Sequence, residues 1–507
     1  MGLRDFTLAD VIERNSQLHR DRLAFIADGQ HISHGEYALR VERLAGGLAR
    51  IGLAAGDRVA VLAQNCLAYI DLYGAAARLG LILVPVNWRL SAEEIAFIIS
   101  DTTPRAIVAG PEYLDLLQGA RQRFPCAEHC FSLGRAADGF AAFDDLSGDA
   151  NVSNVPAADV SSDSGFVIIH TAAVAGQPRG ALLSHAGLLA ANLQLASSWA
   201  LSPQDVHLGV LPLFHASGLG LMLAVQQAGG ATVVLSRFDA QAVAQTVAAR
   251  KVTMFATFPP MLGALLDQAA KDGIDLSSLR HLTGLDLPDT ITRFEAACPA
   301  ARFWIAYGQS EMSGVVTFAP FRDRPGSAGR PTALNHVRLV DDLDHPVPEG
   351  ATGEIVVRGP GVFKGYWNRE DDNAFTFRNG WHHTGDLGRF DADGYLWYGG
   401  RSPAKELIKP GGENVYPAEV ERALLEHPAV AAAVVFGVPD AQWGEAIKAV
   451  CVCRPGQAVA PAQLIDFVGE RIARFKRPKH VVFTAALPCN ADGSVDRAKA
   501  KREFADA

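Results

Sequence analysis

The chain is poor in what would tie it to a membrane, a nucleic acid or a disulfide scaffold. No apolar run approaches the ~18 residues a membrane span needs, and the best stretch, GAAARLGLILVP, is broken by Arg78. Basic residues are outnumbered: 46 Lys and Arg against 55 Asp and Glu leave a net charge of −9, the wrong sign for nucleic acid as the main partner. Cysteine is scarce. The seven cysteines (66, 126, 130, 298, 451, 453 and 489) are odd in number and scattered, which suits a reducing compartment better than a disulfide framework. The pairs Cys126/Cys130 and Cys451/Cys453 lack the spacing of a closed zinc site, and the second pair lies on one face of a single strand. Asp391-Ala392-Asp393-Gly394 opens like a calcium loop but has no later Glu ligand, so it reads as a hairpin turn. The start, MGLRDFTLADVIERN, has no apolar h-region; no secretory signal is expected, and the expected location is cytoplasmic.

What is present is a core-forming composition. Apolar residues make up 49% of the 507 and charged residues 20%, a balance that excludes general disorder. The length allows about three domains' worth of fold at roughly 150 residues each. Ser33 and Glu36 form a capping box ahead of Tyr37, Val41, Leu44, Leu48 and Ile51, which share one helical face. Ser91 and Glu94 repeat the plan. Apolar runs at 59–63, 106–109, 166–169, 207–211, 232–235, 252–256 and 302–306 are separated by stretches long enough for helices. That alternation implies an α/β body of parallel-type sheets with helices packed on both faces. From about 315 the texture becomes short strands and turns (Pro348-Glu349-Gly350, Arg378-Asn379-Gly380, Asp393-Gly394), a β-rich subdomain of antiparallel hairpins. The last hundred residues read as a small α+β unit: helices near 417–426 and 462–474, strands near 430–437, 447–453 and 480–484. The boundaries expected are 1–400 for the body, 401–406 for a hinge and 407–507 for a mobile C-terminal domain.

Four stretches carry chemistry. Residues 170–180, HTAAVAGQPRG, follow the 166–169 run and precede a helix; such a loop offers backbone N–H groups to phosphate, with Arg179 adding charge. Alone, it reads as an ordinary strand–turn–helix connection. Tyr307-Gly308-Gln309-Ser310-Glu311 follows a strand, where ligands meet open parallel sheets; a Glu there can hold Mg²⁺ and an aromatic ring can stack on a base. Alone, it is a surface turn with a capping Ser. Trp381-His382-His383-Thr384-Gly385-Asp386 ends in a carboxylate suited to ribose hydroxyls, or in a plain hairpin acid. Residues 405–417, KELIKPGGENVYP, combine charge, a double glycine and a helix-starting Pro, more than an interdomain linker needs.

In this order and spacing the stretches resemble the adenylate-forming superfamily, in its acyl-CoA synthetase branch. Leu211-Pro212-Leu213-Phe214-His215, Pro325 to Pro331, Gly365-Tyr366-Trp367-Asn368 and Gly437 to Glu445 extend the likeness over essentially the whole chain. The resemblance implies a two-step reaction: ATP and a carboxylic acid give an acyl-adenylate and pyrophosphate, then coenzyme A displaces AMP. By that pattern Glu311 holds Mg²⁺, Ser310 sits near the phosphates with Thr171, Gly176, Arg179 and Gly180, and Tyr307 lies against adenine. Asp386 and Arg401 take the ribose, His215 gates an acyl pocket that includes Gly308, and Lys409, Gly411, Gly412 and Trp443 line the coenzyme A approach. Lys405 marks the hinge. The acyl pocket is expected from stretches near 214–222, 258–263 and 309–314, which hold no prominent cation and point to a monocarboxylate. A homodimer is one candidate assembly.

The chain also departs from that pattern. The family's phosphate loop runs close to TSGTTGxPKG; here, of its hydroxyl side chains, only Thr171 remains, and Ala173 and Val174 stiffen it. Arg179 keeps the charge of a lysine without its point-charge chemistry. Where the family carries a catalytic lysine near its C-terminus, Asn490-Ala491-Asp492-Gly493-Ser494 puts a serine, with Arg497 and Lys499 nearby. Arg401 to Gly411 is about two residues longer than the usual hinge, with Pro403 inside it, and the adenine-side motif is matched only loosely by residues 283–288. Three activities fit these residues: an AMP-forming acyl-CoA ligase, an adenylation-impaired homologue that binds nucleotide or acyl-CoA, and an adenylating enzyme that loads a carrier protein. The Gly437–Glu445 stretch favours coenzyme A over a carrier.

Overall fold

Local capping starts two helices of the body. Ser33 Oγ accepts the Glu36 amide at 3.2 Å while Glu36 takes the Ser33 amide at 2.7 Å, and the helix His34–Arg50 follows. Ser91 and Glu94 do the same for Ala92–Thr102. The computed structural model describes residues 2–124, 127–148, 158–174, 177–341, 343–401, 407–489 and 495–505; among them no helix is long and apolar enough to cross a membrane.

Among the described residues the body holds two large sheets, of nine and eight strands. The nine-stranded sheet is parallel through its centre, from Leu23–Ala27 to Arg302–Gln309, and closes with antiparallel strands at both edges. The eight-stranded sheet is parallel from Gly165–Val174 to Ala141–Ala142. One continuous core joins Phe25 and Val234 of the first sheet to Leu83 and Phe166 of the second, through Tyr37, Tyr73, Leu188 and Leu219 of helices sandwiched between them. A further five-stranded antiparallel sheet runs between residues 336 and 401.

Three expectations are corrected here. Residues 177–184 form a strand that pairs antiparallel with Gly165–Val174, placing Thr171 opposite Arg179, so the segment is a β-hairpin and not a strand–turn–helix connection. The second strand also pairs with Gly365–Tyr366, a partner that no short window of sequence can show. The 302–306 run continues as strand through Gln309 because Gly314–Pro320 pairs back onto it. Asp386 lies within the long strand Trp381–Phe390 and faces Arg401 in the register of Leu396–Arg401, not after a tight turn.

The C-terminal domain has its own core of Val420, Leu424, Ile447 and Leu464 around a three-stranded sheet. Its helix Pro417–Leu425 begins on the expected Pro. The helix placed at 462–474 stops at Gly469, because the chain leaves helical geometry where Ile472 and Ala473 turn into the core and Lys476 meets two carboxylates. Lys405, expected in the hinge, lies with the rest of 402–406 and the 490–494 stretch outside the described residues.

A buried ionic cluster joins the domain to the body. Lys476 pairs with Glu94 of the body and, at 2.7 Å, with Glu419 of its own domain; the three side chains are 7%, 12% and 4% exposed. The same Glu94 carboxylate also accepts the Ala473 amide at 3.2 Å. One cation therefore serves two carboxylates. Burial pushes the Glu419 acid up to about 7, with Glu94 adding repulsion, whereas Lys476 and the Ser91 amide outweigh burial and hold Glu94 below its usual range.

Removing the cation strands two buried acids, so Lys476→Met is expected to destabilise the C-terminal domain by about 3–5 kcal/mol in denaturant unfolding. Glu94→Gln cuts only the link across the interface, and hydrogen exchange should rise at 473–476 while the domain's own strands stay protected. The Glu419 acid keeps its proton to higher pH folded than unfolded, so its contribution is complete below about pH 4.5 and is lost as pH rises through about 7. Melting curves from pH 5 to 8 should show that decline, and Glu419→Gln should flatten it.

Candidate active site

A cavity of about 480 Å³ opens where the central strands of the nine-stranded sheet end. The helix His185–Trp199 contributes Ala191, Asn192 and Leu195 to its wall, and Ala216–Gln227 contributes Ala216, Ser217, Gly220 and Leu221. The opposite side is the pair of strands that carries Ala306, Gly308, Gly314 and Val315. Lys409, Gly411, Gly412 and Glu413 enter from the C-terminal domain. All three stretches expected for the acyl pocket contribute, but Arg89 and Arg237 also reach the cavity from outside them.

Strand periodicity sorts the motif at 307–311. Ala306 and Gly308 face the cavity, so Tyr307 between them points to the other face. Gly308 has no room for a side chain: a Cβ there would sit 2.2 Å from the Gly314 carbonyl oxygen. Tyr307 is buried with its hydroxyl donating to Asp386 Oδ2 at 2.8 Å, and its ring lies 6.0 Å from that of Tyr398. Asp386 also accepts Gln309 Nε2 at 2.5 Å and the Tyr398 hydroxyl at 3.3 Å, and pairs with Arg401 Nε at 3.0 Å. Burial, reinforced by the Asp386 charge, pushes the Tyr307 phenol well above its usual range. For Arg401 the burial penalty is outweighed by Asp386, so the guanidinium is held more firmly charged, and it donates to the Tyr416 hydroxyl at 3.1 Å.

Tyr366 links the hairpin of Gly165–Val174 and Gln177–Ser184 to Glu311. Its hydroxyl donates to Glu311 Oε1 at 2.8 Å, and the Arg179 guanidinium stands over its ring at 4.1 Å. Arg179 is buried and pairs with Asp372 at 3.4 Å. Thr171, Arg179, Ser310 and Glu311 all line the cavity. Gly180 does not; its Cα hydrogens face Ile168 and His170, 2.5 Å and 3.2 Å from where a Cβ would lie. Gly176 lies outside the described residues.

At the mouth, Glu413 is gripped from the body by Arg89 at 2.6 Å, Asn87 at 3.2 Å and His215 Nε2 at 3.3 Å. Burial alone would raise its acid, yet His215 and Arg89 hold it below the usual range. The glycines before it allow the approach. Gly411 (φ 58°) and Gly412 (φ 85°) lie in the left-handed region, and a Cβ would be 2.9 Å from the Trp443 ring and 3.0 Å from that of Phe258. Trp443 itself is partly exposed beside this loop and outside the cavity wall. Lys409 faces the cavity while its backbone amide donates to Glu445 at 2.7 Å; desolvation and Arg401 lower its ammonium pKa. Arg497 and Lys499 do not line the cavity: Arg497 pairs with Glu421 at 2.7 Å and Lys499 lies 3.9 Å from Glu503.

Several of these groups escaped sequence reasoning. Arg89 and Asn87 directly follow the buried strand Ile82–Pro85, a position at the carboxyl end of a parallel strand that could have flagged them. Asn192 is a lone amide in the otherwise apolar run LLAANL. Glu413 belongs to the 405–417 stretch, but its three partners are distant in sequence.

Residues 12–367 match the family described as AMP-binding enzyme, and 419–493 match the AMP-binding enzyme C-terminal domain. Feruloyl-CoA synthase of Amycolatopsis sp is 35% identical over 487 residues, covering 94% of each chain. Indoleacetate–CoA ligase of Aromatoleum aromaticum is 34% identical, covering 96% of each. A crystal structure from Rhodopseudomonas palustris, provisionally named a long-chain-fatty-acid CoA ligase, is 53% identical with a TM-score of 0.76 over 79% of this chain and all of that one. The two-part fold, the ordered motifs and these relatives agree: the chain belongs to the AMP-binding enzyme family, in its acyl-CoA ligase branch.

Proposed function

We propose that this AMP-forming acyl-CoA ligase activates a medium-sized monocarboxylic acid, and that the arrangement described here is the one for the second, thiol-transfer step. The observation that carries the proposal is the C-terminal glycine loop seated in the cavity, with Glu413 clamped by Arg89, Asn87 and His215. In the first step a carboxylate oxygen attacks the α-phosphorus of ATP and pyrophosphate leaves. In the second the coenzyme A thiolate attacks the acyl carbonyl carbon and AMP leaves with the bonding pair. AMP is the better leaving group, so the first step makes the second feasible.

The chain's own groups divide the work. Asp386 and Arg401 take the ribose, with Tyr307 and Gln309 holding the carboxylate in place. Thr171, Arg179 and Ser310 meet phosphate oxygens, and Tyr366 sets Arg179 and Glu311 relative to each other. His215 and Gly308 shape the acyl side. Lys409 adds positive charge beside the leaving phosphate, and Gly411 and Gly412, with Trp443 outside, leave a path for the thiol arm. Preorganised donors of this kind act where charge develops. Glu311, a cavity-lining carboxylate with one oxygen taken by Tyr366, suits Mg²⁺, which is held through one or two carboxylates plus substrate phosphates. Such an ion supplies charge neutralisation on the polyphosphate.

The hinge falls within 402–406, with Lys405 in it, and the C-terminal domain swings about it between the two steps. Ser494 stands where relatives of this family carry an adenylating lysine, and the hairpin keeps only one hydroxyl, so the first step is the slower one. The names of the relatives, for feruloyl and indoleacetic acids, support an aryl-bearing acid.

ATP–pyrophosphate exchange with a panel of carboxylic acids, run beside thioester detection with coenzyme A, tests the activity. Exchange and thioester from at least one acid are expected; no exchange with any acid, joined to tight binding of a preformed acyl-adenylate, would replace the proposal with the adenylation-impaired reading. Ser494→Lys should raise exchange by up to about 10²–10³ while thioester formation from supplied acyl-adenylate changes much less, measured by single-turnover assays. Equal gains in both steps would refute the role assigned to that position.

A further inference from the structure

The helix side of the cavity carries a buried amide that its apolar neighbours leave unpaired. Asn192 is 2% exposed and lines the cavity, and its Nδ2 has no hydrogen-bond partner among the described residues. Its companions from the same helix, Ala191 and Leu195, are apolar. Ser313, directly before the strand Gly314–Pro320, is 1% exposed, lines the same cavity, and has an Oγ equally without a partner. Ser313 stands against that helix, its Oγ 3.0 Å from where a Gly187 Cβ would lie.

Buried amides and hydroxyls are nearly always paired, and one left unmade costs about ten- to a hundredfold in an equilibrium. Two unpaired donors lining one cavity therefore mark a place that a ligand completes. Gly308 presents no side chain to the cavity, which leaves space for a bulky or ring-bearing acyl group to bring an oxygen to them.

We infer that Asn192, with Ser313, is a specificity determinant that donates hydrogen bonds to an oxygen carried on the acyl part of the acid. The inference rests on the ligase reading and narrows it: the preferred acid bears a hydroxyl, ether or carbonyl oxygen away from the carboxylate, and the plain hydrocarbon analogue is rejected because it leaves both donors unpaired. Neither residue is placed at the reacting atoms.

The test compares wild type with Asn192→Leu and Ser313→Ala on paired acids: 3-phenylpropanoate against its 4-hydroxy and 4-methoxy forms, and hexanoate against 5-oxohexanoate. The readout is the ratio of kcat/KM for the oxygenated acid to that for the plain one. In wild type the ratio should be at least tenfold in one series, and Asn192→Leu should cut it by ten- to a hundredfold, with a smaller cut for Ser313→Ala. A ratio near one in wild type, or one unchanged in Asn192→Leu, overturns the inference while thioester formation still upholds the ligase. Calorimetric binding of the matching acyl-sulfamoyl adenosines gives the same ratio without turnover: a preference kept there in a protein inactive with every acid would uphold the inference and sink the ligase reading. Thermal melting checks that both variants are folded.

Discussion

Two carboxylates of opposite ownership hold the C-terminal domain on the body. Glu413 belongs to the domain and is gripped by Arg89, Asn87 and His215 of the body. Glu94 belongs to the body and is gripped by Lys476 and the Ala473 amide of the domain. One contact sits at the mouth of the cavity and the other outside it. Each acid is largely buried, so each depends on the partner across the interface to offset its desolvation. Separating the domains returns both acids to water, which keeps the docked and undocked arrangements closer in energy than an apolar interface would.

Two further acids organise the polar groups at and behind the cavity wall, Glu311 in the lining and Asp386 behind it. Asp386 gathers two tyrosine hydroxyls, an amide and a guanidinium; Glu311 takes one tyrosine hydroxyl whose ring carries Arg179. Buried phenols with raised pKa values remain protonated and act as fixed donors. The cavity thus has its dipoles oriented before any ligand arrives, which is the condition for electrostatic preorganisation.

Much of the fold was legible because its signals are local. The capping boxes at Ser33 and Ser91, the Pro417 helix start and the hairpin turns at 379–380 and 393–394 each act over a few residues, and each formed as expected. The 170–180 segment was misread because the second arm of its hairpin, Gln177–Ser184, is held on its other side by Gly365–Tyr366, far away in sequence. Tyr307 and its neighbours were expected just past a strand; that the strand runs on through Gln309, and which of them face the cavity, depends on the antiparallel return of Gly314–Pro320. The helix wall holding Asn192 had no motif at all: its role appears only when the helix is laid beside that same strand pair.

The slot's two walls differ in kind. At Gly308 the surface is main chain pressed on main chain, and no substitution can be accommodated without moving the Gly314 carbonyl. The facing helix presents replaceable side chains at 191, 192 and 195. Diversification of the accepted acids in descendants of this chain should therefore be written on the helix, one residue at a time, while the strand pair stays a fixed anvil against which each new acyl group is measured.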